Sequence, residues 1–181
     1  MKVLMLASWY KHHENDIDGS FFREQAICVE KKGHTVVLAT LELIKSCKEN
    51  LKKHCTCKIS EDEGIKVYHY YMLSLGAGSN RISVGPFNME YDYYMEYTLW
   101  GYKKLIDIIY AEEKKFDIIH AQSTFPAGYA ACRLKKKLNT PVVITEHFSD
   151  IPAGKLTKKK IKALKYSIEE ADDFMCVTDY F

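Results

Sequence analysis

The stretch "DIDGSFFREQAICVEKKGHTVVLAT", residues 16–40, decides how the chain is read. It follows the run "KVLMLAS" at residues 2–8, which is apolar throughout its middle, as a strand covered on both faces should be. Beyond Gly19, the residues Phe22, Ala26, Ile27 and Val29 recur at helical spacing. Gly33 stands where a C-terminal cap glycine would, and "HTVVLATL" then reads as a second strand. Strand, polar loop with one glycine, helix and strand make a βαβ unit, whose crossover is right-handed by the general rule.

Moving outward, the same alternation continues. The polar tract "IKSCKENLKKHCTCKISEDEG" (44–64) reads as an excursion before the strand "IKVYHYYML" (65–73). Residues 75–88, rich in glycine, serine and asparagine, read as a loop. Tyr94, Met95, Thr98, Leu99, Tyr102, Leu105, Ile106 and Ile109 line one stripe of a long helix. There follow a strand in "FDIIHAQS" (116–123), a helix opened by Pro126 in "PAGYAACRLKKKL" (126–138) and a strand in "PVVITEH" (141–147). A basic amphipathic helix, "KLTKKKIKALKYSIEEA" (155–171), and a strand in "DFMCVTDYF" (173–181) complete the pattern. Six strands interleaved with helices predict an α/β fold: an open, mostly parallel Rossmann-like sheet with helices on both faces, forming one domain over residues 1–181.

Composition narrows the function classes. A formal charge of +2 with near-balanced acids and bases calls for no nucleic-acid partner. Of the six cysteines, Cys28, Cys132 and Cys176 fall inside apolar elements and read as reduced core thiols, which points to the cytosol. The first apolar run ends near Trp9 with no small-residue cleavage site after it, and nothing approaches the roughly 20 apolar residues of a membrane span. The combination Cys47, His54, Cys55 and Cys57 has suitable atoms for zinc but matches no standard spacing, so no metal is expected. The tyrosine-rich "MEYDYYMEYTLWGYKKLIDIIY" (89–110) and the lysine-rich start of the last helix suit a lipid-headgroup surface. A core helix with a tyrosine rim and a solvated basic face explains them more simply.

In such sheets ligands bind outside the carboxyl ends of the strands, so the residues there carry the chemistry. A dinucleotide fingerprint needs three close glycines and the first loop has one; Glu42, a candidate ribose ligand, reads as a solvated loop residue. A P-loop is excluded, since no GKS or GKT follows the first strand. Gly19 has two readings: it lets the backbone approach an anion at a helix start, or it merely permits the turn while Ser20 caps the helix. His120 and His147 lie at the ends of two central strands, with Ser123 and Glu146 beside them. Together they predict a polar cleft that can hydrogen-bond sugar hydroxyls or phosphate, with His12 and His13 of the first loop as further candidates.

Four segments, "MKVLMLASWY", "DGSFFREQAICVEKKGHTVVLAT", "FDIIHAQSTFPAGYAACRLKKKLNTPVVITEH" and "ADDFMCVTDYF", occur in an order that resembles the amino-terminal half of retaining GT-B glycosyltransferases, nearest to family 4 of their classification. The resemblance spans most of the chain and is weakest over residues 44–88. It implies two Rossmann-like domains facing across a cleft, the amino-terminal one on the acceptor side and the other holding a nucleotide-sugar. It places Gly19 and Ser20 at the donor diphosphate and His147 beside the transferred sugar, as the catalytic candidate. It sets His120, Ser123 and Glu146 along the acceptor cleft. Many members carry two glycines in the first loop where this chain has Ile17, Asp18, Gly19 and Ser20.

The family's glutamate pair belongs to the second domain, so the resemblance implies that these 181 residues are the N-terminal part of a longer enzyme and inactive alone. The expected activity is retaining transfer from a nucleotide-sugar, acting as co-substrate with no further cofactor, to a glycan or lipid-linked acceptor. Cell-envelope polysaccharide synthesis is the expected setting, in the cytoplasm with peripheral contact to the inner face of the membrane. A sugar-nucleotide epimerase of the same architecture and a non-catalytic α/β binding module are the rival expectations.

Overall fold

The computed structural model describes residues 1–11, 16–74, 81–84, 87–90, 93–147, 151, 153–154 and 156–177, with backbone alone for 81–84, 87–90 and Tyr93. His12 and His13 lie outside the described residues. The chain runs β1 (Lys2–Ala7), α1 (Ser20–Glu30), β2 (Thr35–Ile44), β3 (Thr56–Asp62) and β4 (Ile65–Leu73). A hairpin of β5 (Arg81–Val84) and β6 (Phe87–Glu90) precedes α2 (Tyr93–Glu113). Then come β7 (Ile118–Gln122), α3 (Tyr129–Leu138), β8 (Val142–Glu146), α4 (Lys158–Glu170) and β9 (Asp173–Cys176). Seven strands form one sheet in the order β3-β4-β2-β1-β7-β8-β9, parallel throughout except for β3 against β4.

The expected open Rossmann-like sheet is therefore present, with helices on both faces. Strand alternation sorts the core into two layers. Leu4, Leu6, Ala39, Tyr68, Ile119 and Ile144 point to one face and pack with Tyr102, Leu105, Ile109 and Ala131 of the later helices. Val3, Met5, Leu38, Ile65 and Val67 point to the other and pack with Phe22 and Ala26 of α1. Gly101 lets α2 lie close on the sheet: a Cβ there would sit 2.3 Å from Met72 Sδ. No helix among the described residues is long and apolar enough to cross a membrane.

Several expectations are corrected. The excursion at 44–64 contains a short 3₁₀-helix, Lys48–Lys53, and the strand β3, closed onto β4 by Glu63 and Gly64, both at positive φ as a tight hairpin turn requires. Lys58, Ser60 and Glu61 hide β3 from an apolar-pattern reading because an edge strand needs polar residues to stay unpaired on its outer side. Within residues 75–88 the hairpin β5/β6 begins, so that stretch is not loop throughout. Pro126 does not open an α-helix: it lies in a π-type turn, Thr124–Gly128, after a cis peptide bond, and α3 starts only at Tyr129. Of the three cysteines read as core thiols only Cys132 is buried; Cys28 and Cys176 are exposed, Cys28 on the outward stripe of α1 with Phe21 and Glu24, and Cys176 on the last strand, where three of four residues face outward.

Glu42 is the clearest correction. It belongs to β2 rather than to a solvated loop and is 7% exposed. Its Oε1 lies 2.5 Å from Nδ1 of buried His69 on β4, whose Nε2 lies 2.9 Å from Ser60 Oγ on β3. The row joins β2, β4 and β3 across the sheet and satisfies polar groups that burial would otherwise penalise. Glu42→Ala should therefore lower stability by about 2 kcal/mol, read as a lower urea midpoint with an unchanged slope. An unaltered midpoint would show that the row contributes nothing.

Candidate functional site

The carboxyl ends of β1, β7 and β8 meet at one rim, and the chain there is locked by backbone hydrogen bonds. Ser8 N–H donates to the Gln122 carbonyl at 3.3 Å, and Ser123 N–H donates to the Thr145 carbonyl at 2.8 Å. Ser123 takes φ 67° and ψ 149°, a conformation nearly confined to glycine, at a cost of about 1–3 kcal/mol. Its surroundings over-determine it. Its carbonyl accepts from Gly128 N–H at 3.0 Å and from Ser8 Oγ at 3.3 Å, and its own Oγ accepts from His147 N–H at 3.3 Å.

Glu146 closes the same corner. It is fully buried, and its Oε2 accepts from Thr124 N–H at 2.8 Å while its Oε1 accepts from His147 N–H at 2.7 Å. One carboxyl thus binds the turn after β7 to the residue after β8. Its oxygens face backbone N–H groups within the protein, and Ser123 beside it is also fully buried.

Behind this corner runs a chain of side-chain contacts on the face of the sheet that α1 covers. His147 Nε2 lies 2.9 Å from Gln122 Oε1. Gln122 Nε2 donates to Gln25 Oε1 of α1 at 2.5 Å and lies 3.3 Å from His120 Nε2, which is 2.8 Å from Thr145 Oγ1. The orientation that satisfies every contact has His147 Nε2–H donating to Gln122 and the Thr145 hydroxyl donating to His120 Nε2. Both rings are then neutral, in keeping with their titration. Burial, and secondarily the nearby His147, lowers His120 to about 4, and burial lowers His147 against the opposing pull of Glu146.

Phe21 and Phe22 of α1 hold the His147 ring, with centroids at 5.0 and 5.3 Å. This contact brings the start of α1 to the rim. Gly19 precedes that helix at φ 70°, ψ 12°, and a Cβ on it would come within 3.1 Å of Trp9 O, Tyr10 Cα and Tyr10 Cδ2. The turn therefore demands glycine on dihedral and steric grounds together. Ser20 does not cap the helix: it is the first helical residue, Gly19 holds the cap position, and no side-chain hydrogen bond closes it. The physical reason is the left-handed cap residue, which places the Gly19 carbonyl, not the Ser20 hydroxyl, to accept from Phe22 N–H at 3.0 Å.

The structure thus gathers Gly19, Ser20, His120, Ser123, Glu146 and His147 at one end of the sheet. Sequence reasoning missed Gln122, Gln25, Thr145 and Ser8. Two of these were accessible in principle: strand alternation puts Gln122 on the face of His120, and the register pairs Gln122 with Thr145. Cys47, His54, Cys55 and Cys57 lie away from this rim, at the outer edge of the sheet beside β3. His54 Nδ1 there accepts from Leu73 N–H. Among the described residues no group of three or more metal-binding side chains is assembled.

Comparison with known proteins puts this rim in context. The family model described as Glycosyltransferase Family 4 matches residues 20–181. An uncharacterized glycosyltransferase of Methanocaldococcus jannaschii is 34% identical over 86 residues, covering 48% of this chain and 24% of that protein. The fold is similar to the catalytic domain of starch synthase IV from Arabidopsis thaliana, solved with ADP and acarbose (TM-score 0.53, 13% identity, 96% of this chain and 44% of that one). It is also similar to the N-terminal domain of trehalose-6-phosphate phosphatase from Candida albicans (TM-score 0.59, 14% identity, 96% and 39%). The chain thus spans about a quarter of the length of that archaeal relative.

Two outcomes follow from the geometry. Replacing Ser123 by glycine relieves the backbone while His147 N–H keeps Glu146, so Ser123→Gly should raise stability by about 1 kcal/mol and Ser123→Val lower it by about 2 kcal/mol. A destabilising Ser123→Gly would refute the strain. For His120, the unfolded chain binds more protons between pH 6.5 and about 4, so its contribution is complete above pH 6.5 and is lost as pH falls toward 4. Stability should drop by roughly 2 kcal/mol between pH 7 and 5. His120→Asn should flatten most of that slope in urea titrations at the two pH values, and an unchanged slope would assign it elsewhere.

Proposed function

The chain belongs to glycosyltransferase family 4, and from that premise we propose that it is the acceptor-side domain of an enzyme that moves a sugar from a nucleotide-sugar to a glycan or lipid-linked acceptor with retention at the anomeric carbon, in cell-envelope polysaccharide synthesis. The observation that carries this reading is the His147 corner: a neutral imidazole held by Gln122, Phe21 and Phe22, with its backbone pinned by a buried carboxyl.

In this reading each residue has a distinct task. His147 meets the transferred sugar as a hydrogen-bonding group without net charge, suited to hydroxyls. Gly19 and Ser20 open an 11-residue helix whose first N–H groups and dipole favour the departing diphosphate. One glancing contact is enough because a second domain, carrying the nucleotide-sugar, supplies the rest. Such preorganised dipoles stabilise charge on the leaving group as the oxocarbenium-like transition state forms. His120, Ser123 and Glu146 build the floor of the acceptor cleft and act through the geometry they impose. A lipid-linked acceptor would be met at the cytoplasmic face of a membrane, where the lysines at the start of α4 attract anionic lipid.

The test uses the whole enzyme. His147→Ala should lower turnover about 100-fold while the melting temperature changes little, and unchanged kinetics would remove His147 from the site. The 181-residue chain alone should turn over no nucleotide-sugar. Conversion of a nucleotide-sugar without any acceptor would point instead to an epimerase.

A further inference from the structure

A basic, aromatic pocket adjoins the rim on the opposite face of the sheet, between α2, α3 and α4. Its volume is about 470 Å³, within the range of small-ligand sites. Three features set its chemistry. Arg133, Lys159 and Lys162 line it, with Glu96 the one carboxylate among the described lining residues. Tyr129 and Tyr166 form aromatic walls, with ring centroids 5.9 Å apart in an edge-to-face pair. Finally, Met95 and Glu96 of α2, Tyr129 of α3 and Lys159 of α4 bring to the pocket the first turns of three helices that all begin at the carboxyl ends of the strands.

That third point follows from the contacts at the helix ends. The last turn of α2 meets the amino end of β1, where Lys2 Nζ pairs with Glu113 at 2.9 Å. α3 begins just after the turn fastened to Ser123, and α4 ends where Asp172 N–H donates to the carbonyl of Val142, the first residue of β8. The positive ends of three helix dipoles therefore reinforce the cationic side chains. No helix start acts alone here: the pocket volume and the three cations are independent of the dipoles.

Arg133 is pre-positioned. Its Nη1 donates to Tyr129 Oη at 2.5 Å, its guanidinium lies 5.5 Å from the Tyr129 ring centroid, and Glu96 is 3.6 Å away. The Glu96 carboxylate is half exposed, so water already weakens that ion pair and a doubly charged oxyanion outcompetes it. A planar guanidinium with two ammonium groups around it matches phosphate oxygens, and the tyrosine faces suit the C–H face of a sugar ring.

We propose that this pocket binds the phosphate or diphosphate group of a phosphorylated sugar acceptor. This rests on the glycosyltransferase reading and adds the acceptor's class to it. Tyr129 follows directly on the turn held by Ser123 and Glu146, so a ligand anchored here enters beside the acceptor cleft.

Calorimetric titration of the chain with inorganic pyrophosphate at low salt tests it. Saturable binding is expected, weakened about tenfold or more in the R133Q/K162Q double variant. It should be retained in K31Q/K32Q, which removes the same charge at the far end of α1. Circular dichroism melts of each variant separate lost binding from lost folding, and K162Q alone, altering one exposed side chain, repeats the test. A second arm uses phosphatidylcholine vesicles with and without phosphatidic acid. Vesicle binding that pyrophosphate displaces supports a lipid-borne phosphate, whereas pyrophosphate binding without vesicle binding supports a free sugar phosphate. Absence of saturable pyrophosphate binding at millimolar concentration, or equal binding by R133Q/K162Q and the parent chain, overturns the proposal. These results stand apart from the parent reading, which fails only if the whole enzyme transfers no sugar.

Discussion

A carboxyl buried at the end of β8 joins two strand ends by accepting from the backbone N–H groups of Thr124 and His147. Much of the rim depends on this. The turn after β7 must leave the sheet sharply for α3 to fold back over one face, and Ser123 takes a dihedral pair that side chains avoid in order to do so. Such strain persists only where surrounding bonds exceed its cost. The strand pairing, the Gly128 and Ser8 contacts and the Glu146 carboxyl together meet that condition, and they position His147 in the process.

The second organising feature is an asymmetry between the faces of the sheet. Three helices cover one face, where the strand interiors are apolar from β4 across to β8 and charge appears only at strand ends, at Lys2, Lys66 and Glu146 among the described residues. On the face that α1 covers, β1 is apolar and β2 and β4 begin apolar before reaching the Glu42–His69 pair, while β7 and β8 carry His120, Gln122 and Thr145. His120, Gln122 and Thr145 satisfy one another, and Gln122 reaches α1 at Gln25. The arrangement trades hydrophobic burial for a neutral hydrogen-bonded row ending at His147. Desolvation holds both histidines uncharged, so the rim offers hydrogen bonds rather than fixed charge, while positive charge is gathered on the far side of α3 around Arg133.

Much of this was legible from periodicity. The strands at 65–73 and within 116–123 and 141–147, the helix stripe through Tyr102 and Ile109, and the alternation implying a parallel sheet all follow from apolar residues that must be buried on both sides. The histidines at strand ends were legible for the same reason, since a polar residue closing an apolar strand stands where the sheet stops. Edge strand β3 was not, because its residues are polar on both faces and only its partner β4 makes it a strand. Nor was Glu42, whose burial is tolerable only because His69 approaches from a strand 27 residues away.

By itself, then, the amino-acid order determined the fold class, the crossover at Gly19 and the strand-end positions of His120, Ser123, Glu146 and His147, because these depend on local spacing and on which side chains avoid water. Tertiary structure alone decided that Ser20 leaves the cap to Gly19, that Ser123 is strained, that Glu146 turns inward to hold backbone, and that Arg133, Lys162 and two tyrosines share one pocket. Those outcomes depend on contacts between segments far apart in the chain, whose distances and desolvation exist only once the sheet has closed around them.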